Sequence, residues 1–493
     1  MMLLTKLLAG LLEQDLTAYA DVQCARLTAD SRDVQPGTLF LAYKGSCGDG
    51  KVYLSQALAK GASAVLIDQQ PEIDVKVPYL VVPHLSNILV QLADRFFGFP
   101  QQKLTLYAVT GTNGKTSVSY YLAQMLTELG VMSAVIGTTG WGILPNLQAS
   151  RNTTPGLIEL RAMLADLVKR GVQAVVMEVS SHSLVQKRVS GLCFRQAIFT
   201  NLTQDHLDYH GSMTNYAAAK FKLFDCNSCM MGIFNISDEY GLKFSQRLKE
   251  RLPQITYGSE GRLADLTADR VEFLASGIRG YLHHRSCVVD FKAPLLGVFN
   301  LENLMAAVAA LLGDGYDLSV IAAVINRLQP VKGRMEVVSN REVLAKLVVV
   351  DYAHTPDALA KALVSLRKYC GTKGRLWVIF GCGGDRDSDK RAKMGKLATE
   401  LADRVIVTSD NPRSEDPMKI IDQICAGIDL MDLSDKVVIE SNRADAIARA
   451  LREAQKDDIV LIAGKGHEQY QLINNDSFYF SDQQQVLDYA RTS

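Results

Sequence analysis

Short apolar runs set the rhythm of the chain. They occur at Thr38–Ala42 and Ala64–Ile67, then at Leu104–Val109, Ser133–Ile136, Ala174–Met177, Ala197–Phe199 and Gly232–Asn235. A last series follows at Leu347–Val350, Leu376–Phe380, Arg404–Thr408, Lys436–Ile439 and Ile459–Ala463. Runs of this length predict buried strands, and the helical periodicity between them, clearest from about Ser117 to Leu129, predicts crossover helices. Strands alternating with helices define an α/β class with largely parallel sheets. At the N-terminus Leu4, Leu7, Leu8, Leu11 and Leu12 fall at helical spacing and predict an amphipathic helix. Lys6 interrupts this apolar run and Glu13 and Asp15 follow it, which argues against a signal peptide.

Two turn-rich stretches, Gly98–Lys103 and Gln329–Arg334, mark candidate boundaries. They predict a smaller N-terminal α/β domain over 1–99, a central α/β domain over 100–331 and a C-terminal Rossmann-like α/β domain over 332–493. The length of 493 residues agrees, since domains average roughly 150 residues. No internal repeat is visible.

Composition narrows the function classes. Lys plus Arg and Asp plus Glu each number 53, so there is no global basic field to attract nucleic acid or an anionic membrane. No apolar run approaches the ~18 residues of a membrane span. The 9 cysteines are odd in number and dispersed, which fits a reducing compartment rather than a disulfide framework. Cys226-Asn227-Ser228-Cys229 has no matching second pair and no suitably spaced histidine, so it reads as coincidence. A cytoplasmic enzyme is expected.

The strongest single motif is Thr110-Gly111-Thr112-Asn113-Gly114-Lys115-Thr116, between a buried strand and a helix. Its glycines allow backbone N–H groups to approach a polyphosphate, and the helix N-terminus adds partial positive charge. Lys115 is suited to the β- and γ-phosphates and Thr116 to Mg²⁺. Val109 stands where the commonest phosphate loop has glycine. An ordinary glycine turn with a solvated lysine would not need both flanking elements. Glu178 and His206 are expected just past strand ends on the same sheet edge. There a carboxylate and an imidazole can complete a cation site, because nucleotide-bound Mg²⁺ takes few protein ligands.

The C-terminal region places its polar clusters where strands end: Asp351–Pro356, Gly381–Asp387, Asp410–Asp416, Ser441–Arg443 and Gly464–Glu468. Open parallel sheets bind ligands outside the carboxyl ends of their strands.

Taken together, Gly111–Thr116, Glu178-Val179-Ser180-Ser181-His182, Thr200–Asp208, Asn300-Leu301-Glu302-Asn303 and Asp351–Pro356 resemble the Mur ligase family over essentially the whole chain. Asp30-Ser31-Arg32, Asn152–Pro155, Gly381–Asp387 and Gly464–Glu468 resemble the members that add the third amino acid. Asp410-Asn411-Pro412-Arg413 is similar to the loop of those that add meso-diaminopimelate.

The resemblance implies an ATP-dependent ligase of peptidoglycan precursor synthesis, joining meso-diaminopimelate to UDP-N-acetylmuramoyl-L-alanyl-D-glutamate through an acyl phosphate. It implies ATP as co-substrate, two Mg²⁺ ions, a monomeric state and no side-chain nucleophile. Carried over by position, Gly111, Thr112, Asn113, Gly114, Lys115, Thr116, Asn300, Asn303, Arg334 and Asp351 are expected on the nucleotide. Thr116, Glu178, His206 and a carbamylated Lys220 are expected at the metals, with Lys115, Glu178, His206 and Lys220 as the catalytic set. Ser31, Thr153, Thr154, Ser180, Gln186 and Arg188 are expected on the UDP-substrate. Without the resemblance, Lys220 reads as an exposed helix lysine. The glycines around Ser46 and Cys47 fit a uracil loop whose intervening residues depart from the family's pattern.

Arg386, Asp410, Asn411, Pro412, Arg413, Gly464 and Glu468 are expected around the incoming amino acid. Arg413, a planar fork, is suited to a carboxylate, as is Arg386, while Glu468 and Asn411 are suited to a distal ammonium. Competing readings are a sister ligase adding D-alanyl-D-alanine, a folylpolyglutamate synthetase, a lysine-adding variant, a non-catalytic nucleotide binder and a kinase.

Overall fold

The computed structural model describes residues 1–493 except 46–47, 226–227, 259–262, 275, 340–343, 430, 433–435, 475 and 493. Ser46 and Cys47 of the expected uracil loop and Cys226 of the C-x-x-C stretch therefore lie outside the described residues. The chain forms two compact units. One comprises 1–110, 130–197 and 218–231, and the other 111–129, 198–217 and 232–493.

The first unit opens with a parallel sheet of four strands in the order Arg26–Thr28, Thr38–Ala42, Ala62–Ile67, Tyr79–Val81. Side chains alternate across its faces. Leu39, Leu41, Ala64 and Leu66 join one apolar cluster, and Phe40, Ala42, Val65 and Ile67 the other. Both faces are covered, which is why these strands read as continuous apolar runs. The N-terminal helix spans only Leu4–Leu8. Gly10 turns the chain with a φ of +67°, and Leu11 and Leu12 pack on the same cluster without being helical. Apolar spacing thus located the buried side chains correctly but overran the helix.

The same unit holds the parallel strands Thr105–Thr110, Ala174–Glu178 and Ser133–Gly137, with Glu178 opposite Val109. Gly140–Gly142 returns antiparallel beside the last of them. Arg161, fully buried, donates its Nε to Asp94 Oδ1 at 2.9 Å and a second bond to the Ser190 carbonyl.

In the second unit, Gly232–Asn235, Gln254–Gly258 and Leu266–Leu274 pair in parallel. Gly277–His284 and Cys287–Ala293 extend them antiparallel. The apolar pattern did not reveal this antiparallel extension. Its strands alternate buried and solvent-facing residues, so no continuous apolar run exists to find. The helix Val298–Gly313 is buried along most of its length.

The C-terminal sheet has six strands in the order Glu336–Ser339, Leu347–Asp351, Ile459–Ala463, Leu376–Phe380, Arg404–Val407, Val437–Ile439. Only the first is antiparallel. Val349, Val378, Phe380, Val405 and Leu461 face one helical layer, and Val350, Trp377, Ile379, Ile406 and Ile462 the other. The chain order reverses beside Ile459–Ala463, which creates a crevice at the carboxyl ends of the strands.

Candidate active site

The phosphate loop lies in the second unit, at the N-terminus of the helix Lys115–Glu128, whose onset is two residues earlier than periodicity suggests. Gly111 and Gly114 have φ values of +152° and +87°. A Cβ on Gly111 would overlap Thr200 Oγ1, and one on Gly114 would overlap Asn303 Oδ1. Only glycine meets both the backbone and the packing demand here. The loop is clamped by Asn201, whose backbone carbonyl accepts Thr112 N–H at 2.9 Å and whose Oδ1 accepts Asn113 N–H at 2.9 Å. Thr200 donates its Oγ1 to the Asn113 carbonyl at 2.6 Å. Lys115 folds back over the loop, donating to the carbonyls of Gly111 and Thr112 at 2.9 and 2.8 Å. Asn113 reaches the C-terminal region, its Nδ2 lying 3.1 Å from Asp357 Oδ2.

Arg334 approaches the same helix terminus, its Nη2 lying 3.4 Å from Thr116 Oγ1. Its guanidinium stacks 4.4 Å from the Tyr352 ring centroid, and its buried Nε has no partner among the described residues. His354 and His467 flank Tyr352 at 4.7 and 5.3 Å between centroids. Burial, with Arg334 nearby, pulls the half-buried His467 imidazole down to about 4 and so keeps it neutral at pH 7, while His354 is exposed. Asp351 accepts the N–H groups of Met335 at 2.7 Å and Ala353 at 2.9 Å. Burial raises its carboxyl above the usual aspartate range, against the opposing pull of Arg334.

Asn300 is buried and its amide is engaged within the protein. Oδ1 accepts from Tyr121 Oη at 3.1 Å and Asn303 Nδ2 at 3.0 Å, while Nδ2 donates to the Leu296 carbonyl at 2.7 Å. Its direct contribution is therefore to hold Asn303 beside Gly114. His206 has a left-handed backbone, φ +54°, a half-exposed ring 3.5 Å from Asp205, and an edge contact with Tyr216.

A second constellation belongs to the first unit. Glu178 is the last residue of its strand rather than one beyond it, and it is 1% exposed. Thr138 donates its N–H to Glu178 Oε1 at 3.0 Å, and Thr138 Oγ1 lies 3.2 Å from Oε2 and 3.0 Å from Thr153 Oγ1. Thr154 Oγ1 donates to the Glu178 carbonyl at 2.8 Å and accepts Ser180 N–H at 3.1 Å. Arg188 donates to the Thr154 carbonyl and to Gln186 Oε1, both at 2.8 Å. Thr153, Thr154, Ser180, Gln186 and Arg188 thus join one network around Glu178. Ser31 lies outside it and donates to Gln56 Oε1 at 2.7 Å. Thr138 was not singled out from sequence, although Gly137-Thr138-Thr139-Gly140 ends an apolar strand and carried the same signal as the other polar strand ends. Lys220, on the helix Met213–Phe221, is 1% exposed. The exposed helix lysine read from its local sequence is corrected, because this helix turns that face into protein.

A third constellation closes the crevice of the C-terminal sheet. Asp410 is 7% exposed; its carboxylate makes no hydrogen bond with a described residue and lies in electrostatic reach of the buried Arg443. A Cβ on Gly464, where φ is +113°, would lie 2.5 Å from Asp410 Oδ2. Arg413 has φ +52° and donates Nη1 to the Gly384 carbonyl at 2.7 Å; no described residue accepts from its Nε or Nη2. Pro412 presents its carbonyl to Gly384, and Arg386 is exposed beside Gly383. Asn411 differs from expectation. Its Oδ1 already accepts Leu472 N–H at 3.0 Å and Lys465 Nζ at 3.1 Å, and its Nδ2 donates to Glu468 Oε2 at 2.8 Å. With both lone pairs engaged it cannot receive an ammonium, and that capacity rests with Glu468. Among the described residues no group of three His, Cys, Asp or Glu side chains forms a metal cage, and no helix is long and apolar enough to cross a membrane.

Comparison with known proteins places this architecture in a class. The family descriptions "Mur ligase family, catalytic domain", "Mur ligase middle domain" and "Mur ligase, glutamate ligase domain" match residues 24–97, 109–311 and 333–466. The chain belongs to the Mur ligase family and has its three-domain mixed α/β fold. Among curated relatives, the UDP-N-acetylmuramoyl-L-alanyl-D-glutamate--2,6-diaminopimelate ligase of Vibrio vulnificus is 43% identical, over 98% of this chain and 97% of that one. Its Pseudomonas aeruginosa counterpart is 45% identical over 95% of each. A solved structure of a ligase with the same name superposes with a TM-score of 0.68 at 34% identity, covering 100% of this chain and 99% of that one. The MurF ligase of Thermotoga maritima in complex with ADP, at 17% identity and a TM-score of 0.64, shares the fold, covering 96% of this chain and 98% of that one.

Proposed function

We propose that this chain joins meso-2,6-diaminopimelate to UDP-N-acetylmuramoyl-L-alanyl-D-glutamate at the expense of ATP. The observation that carries the choice of amino acid is the Asp410–Arg413 loop. It combines a buried carboxylate that makes no hydrogen bond with a described residue and a guanidinium with unused donors at the mouth of a parallel-sheet crevice. A zwitterion offers the two opposite charges that such groups need.

Residues 1–99 take the UDP end, 100–331 the ATP and 332–493 the amino acid. The glutamate-end carboxylate of the UDP-substrate attacks the γ-phosphorus of ATP. An O–P bond forms, the bond to the β-phosphate oxygen breaks, and ADP leaves. The amine of diaminopimelate, having lost a proton, then attacks the acyl carbon. A C–N bond forms and inorganic phosphate departs with the former carboxylate oxygen. No side-chain nucleophile is needed, so rate comes from positioning and charge.

Gly111, Thr112, Asn113, Gly114, Lys115 and Thr116 hold the phosphates. Lys115 exchanges its two loop carbonyls for phosphate oxygens, which is a short swing of a flexible stem. Asn303, Arg334 and Asp351 support the nucleotide, with Asn300 behind them. The donor chemistry fits Mg²⁺: Thr116, Glu178, His206 and a carbamylated Lys220 would hold it, and bound Mg²⁺ offsets charge on the transferring phosphoryl group. Thr153, Thr154, Ser180, Gln186 and Arg188, with Ser31, hold the UDP-substrate, and Arg386, Asp410, Arg413, Gly464 and Glu468, with Asn411 and Pro412 shaping the loop, the amino acid. The reaction belongs to the cytoplasm, where a monomer suffices for it.

The test is the mass of the nucleotide product after incubation with ATP, Mg²⁺, the UDP-dipeptide and an equimolar mixture of meso-diaminopimelate, D-alanyl-D-alanine and glutamate. Gain of one diaminopimelate less one water is expected. Gain of D-alanyl-D-alanine or glutamate instead contradicts the proposal.

A further inference from the structure

Lys465 has no part in the mechanism above, yet it is one of the few fully buried lysines. Its side chain is 0% exposed. Two left-handed glycines, Gly464 at φ +113° and Gly466 at φ +54°, turn it inward. A Cβ on either would crowd Asp410 Oδ2 or the Gly333 carbonyl, so the turn is fixed by packing. The ammonium lies 3.3 Å from Glu468 Oε2 and 3.1 Å from Asn411 Oδ1, and 5.6 Å from the Tyr470 ring centroid. These contacts form a closed set. Leu472 N–H and Lys465 occupy both acceptor sites of Asn411, which forces its Nδ2 toward Glu468. Lys465 and Asn411 together take Glu468 Oε2. No described residue donates to Oε1.

We propose that Lys465 is a positioning residue for amino-acid recognition, holding Glu468 and Asn411 in the one arrangement that presents Glu468 Oε1 to the ammonium of the incoming amino acid. This rests on the function proposed above. The electrostatics agree. Burial and the nearby Asp410 raise the Glu468 carboxyl above its ordinary range, and Lys465 and Asn411 oppose them. Tyr352, Tyr470 and Arg443 also face it. Without Lys465, Glu468 takes up a proton at higher pH and loses its attraction for a cation.

The experiment is steady-state kinetics of the full chain as wild type, Lys465→Met, Glu468→Gln and the double variant, with meso-diaminopimelate varied across pH. Lys465→Met should raise KM for diaminopimelate on the order of ten-fold or more, since it strands a buried charge partner, and leave KM for ATP unchanged. The acid limb of kcat/KM for diaminopimelate should move to higher pH. The double variant should be no worse than Glu468→Gln alone, because Lys465 acts through Glu468. Should Lys465→Met fail to fold, the double variant, which leaves no charge unpaired, still makes that comparison. Additive losses, an unmoved acid limb or a parallel loss of ATP affinity would overturn the inference. A wild-type chain that turns over with diaminopimelate isolates that failure to Lys465; one that does not overturns the proposed function as well.

Discussion

The Glu178 carboxylate is held from one side by a single residue, Thr138, whose N–H and Oγ1 lie 3.0 and 3.2 Å from its two oxygens. The strand Ser133–Gly137 delivers that donor pair, and Gly137 leaves room for the carboxylate, since a Cβ there would overlap Glu178 Oε1. Gly137→Ala should therefore displace the carboxylate and lower kcat on the order of 10²-fold, as small displacements of a positioned group do. Thr138→Val keeps the N–H bond and should cause a smaller loss. Rapid-quench measurement of ADP formation checks both.

Arg413 offers donors that the protein does not use. Arg413→Ala should reduce kcat/KM for diaminopimelate on the order of 10²-fold or more, the scale of a lost buried charge partner. ATP affinity, measured by fluorescent-nucleotide titration, should be unchanged, because no nucleotide-loop residue touches this side chain. Unchanged ligation kinetics would remove it from the site.

Arg443 and Asp482 form an ion pair with both side chains 0% exposed. Asp482 Oδ1 and Oδ2 accept from Arg443 at 2.7 and 2.8 Å, and Arg443 also donates to the Ala463 carbonyl at 2.9 Å. Breaking such a pair leaves a buried charge, so Asp482→Ala should cost about 3–5 kcal/mol. Urea denaturation of the two proteins measures it.

The Arg391 guanidinium holds the Glu415 carboxyl well down, at about 2. A carboxyl with a lowered folded-state value stabilises the protein fully above its unfolded value of about 4.5, and the contribution is lost as pH falls toward 2. Glu415→Gln should flatten the decline in stability across that window, read as thermal midpoint against pH. A parallel slope in wild type and variant would contradict the pairing.

Much of this architecture was legible in the residues because the buried strands are continuous apolar runs. Thr38–Ala42, Gly232–Asn235, Leu376–Phe380 and Ile459–Ala463 coincide with their predicted bounds. What stayed hidden has physical reasons. The strands between Leu266 and Ala293 alternate exposed and buried residues and so resemble loop sequence. Leu11 and Leu12 keep helical spacing although Gly10 has already ended the helix. In the candidate site, the phosphate loop stands out because its glycines, Lys115 and Thr116 lie together between a buried strand and a helix, and the Asp410–Arg413 loop because it resembles a family motif. Partners distant in sequence do not stand out. That Thr138 serves Glu178, that Lys465 faces Glu468 and that Asn411 has no lone pair to spare are consequences of packing, and local sequence does not encode them separately.

The central claim is amino-acid choice by an ATP-dependent ligase. Inorganic phosphate release should be followed with ATP, Mg²⁺ and UDP-N-acetylmuramoyl-L-alanyl-D-glutamate, adding meso-diaminopimelate or L-lysine in parallel. Sustained release with diaminopimelate and only background with lysine is predicted. Equal or greater release with lysine would contradict the role given to the Asp410–Arg413 loop, and no release with either would contradict the ligase itself.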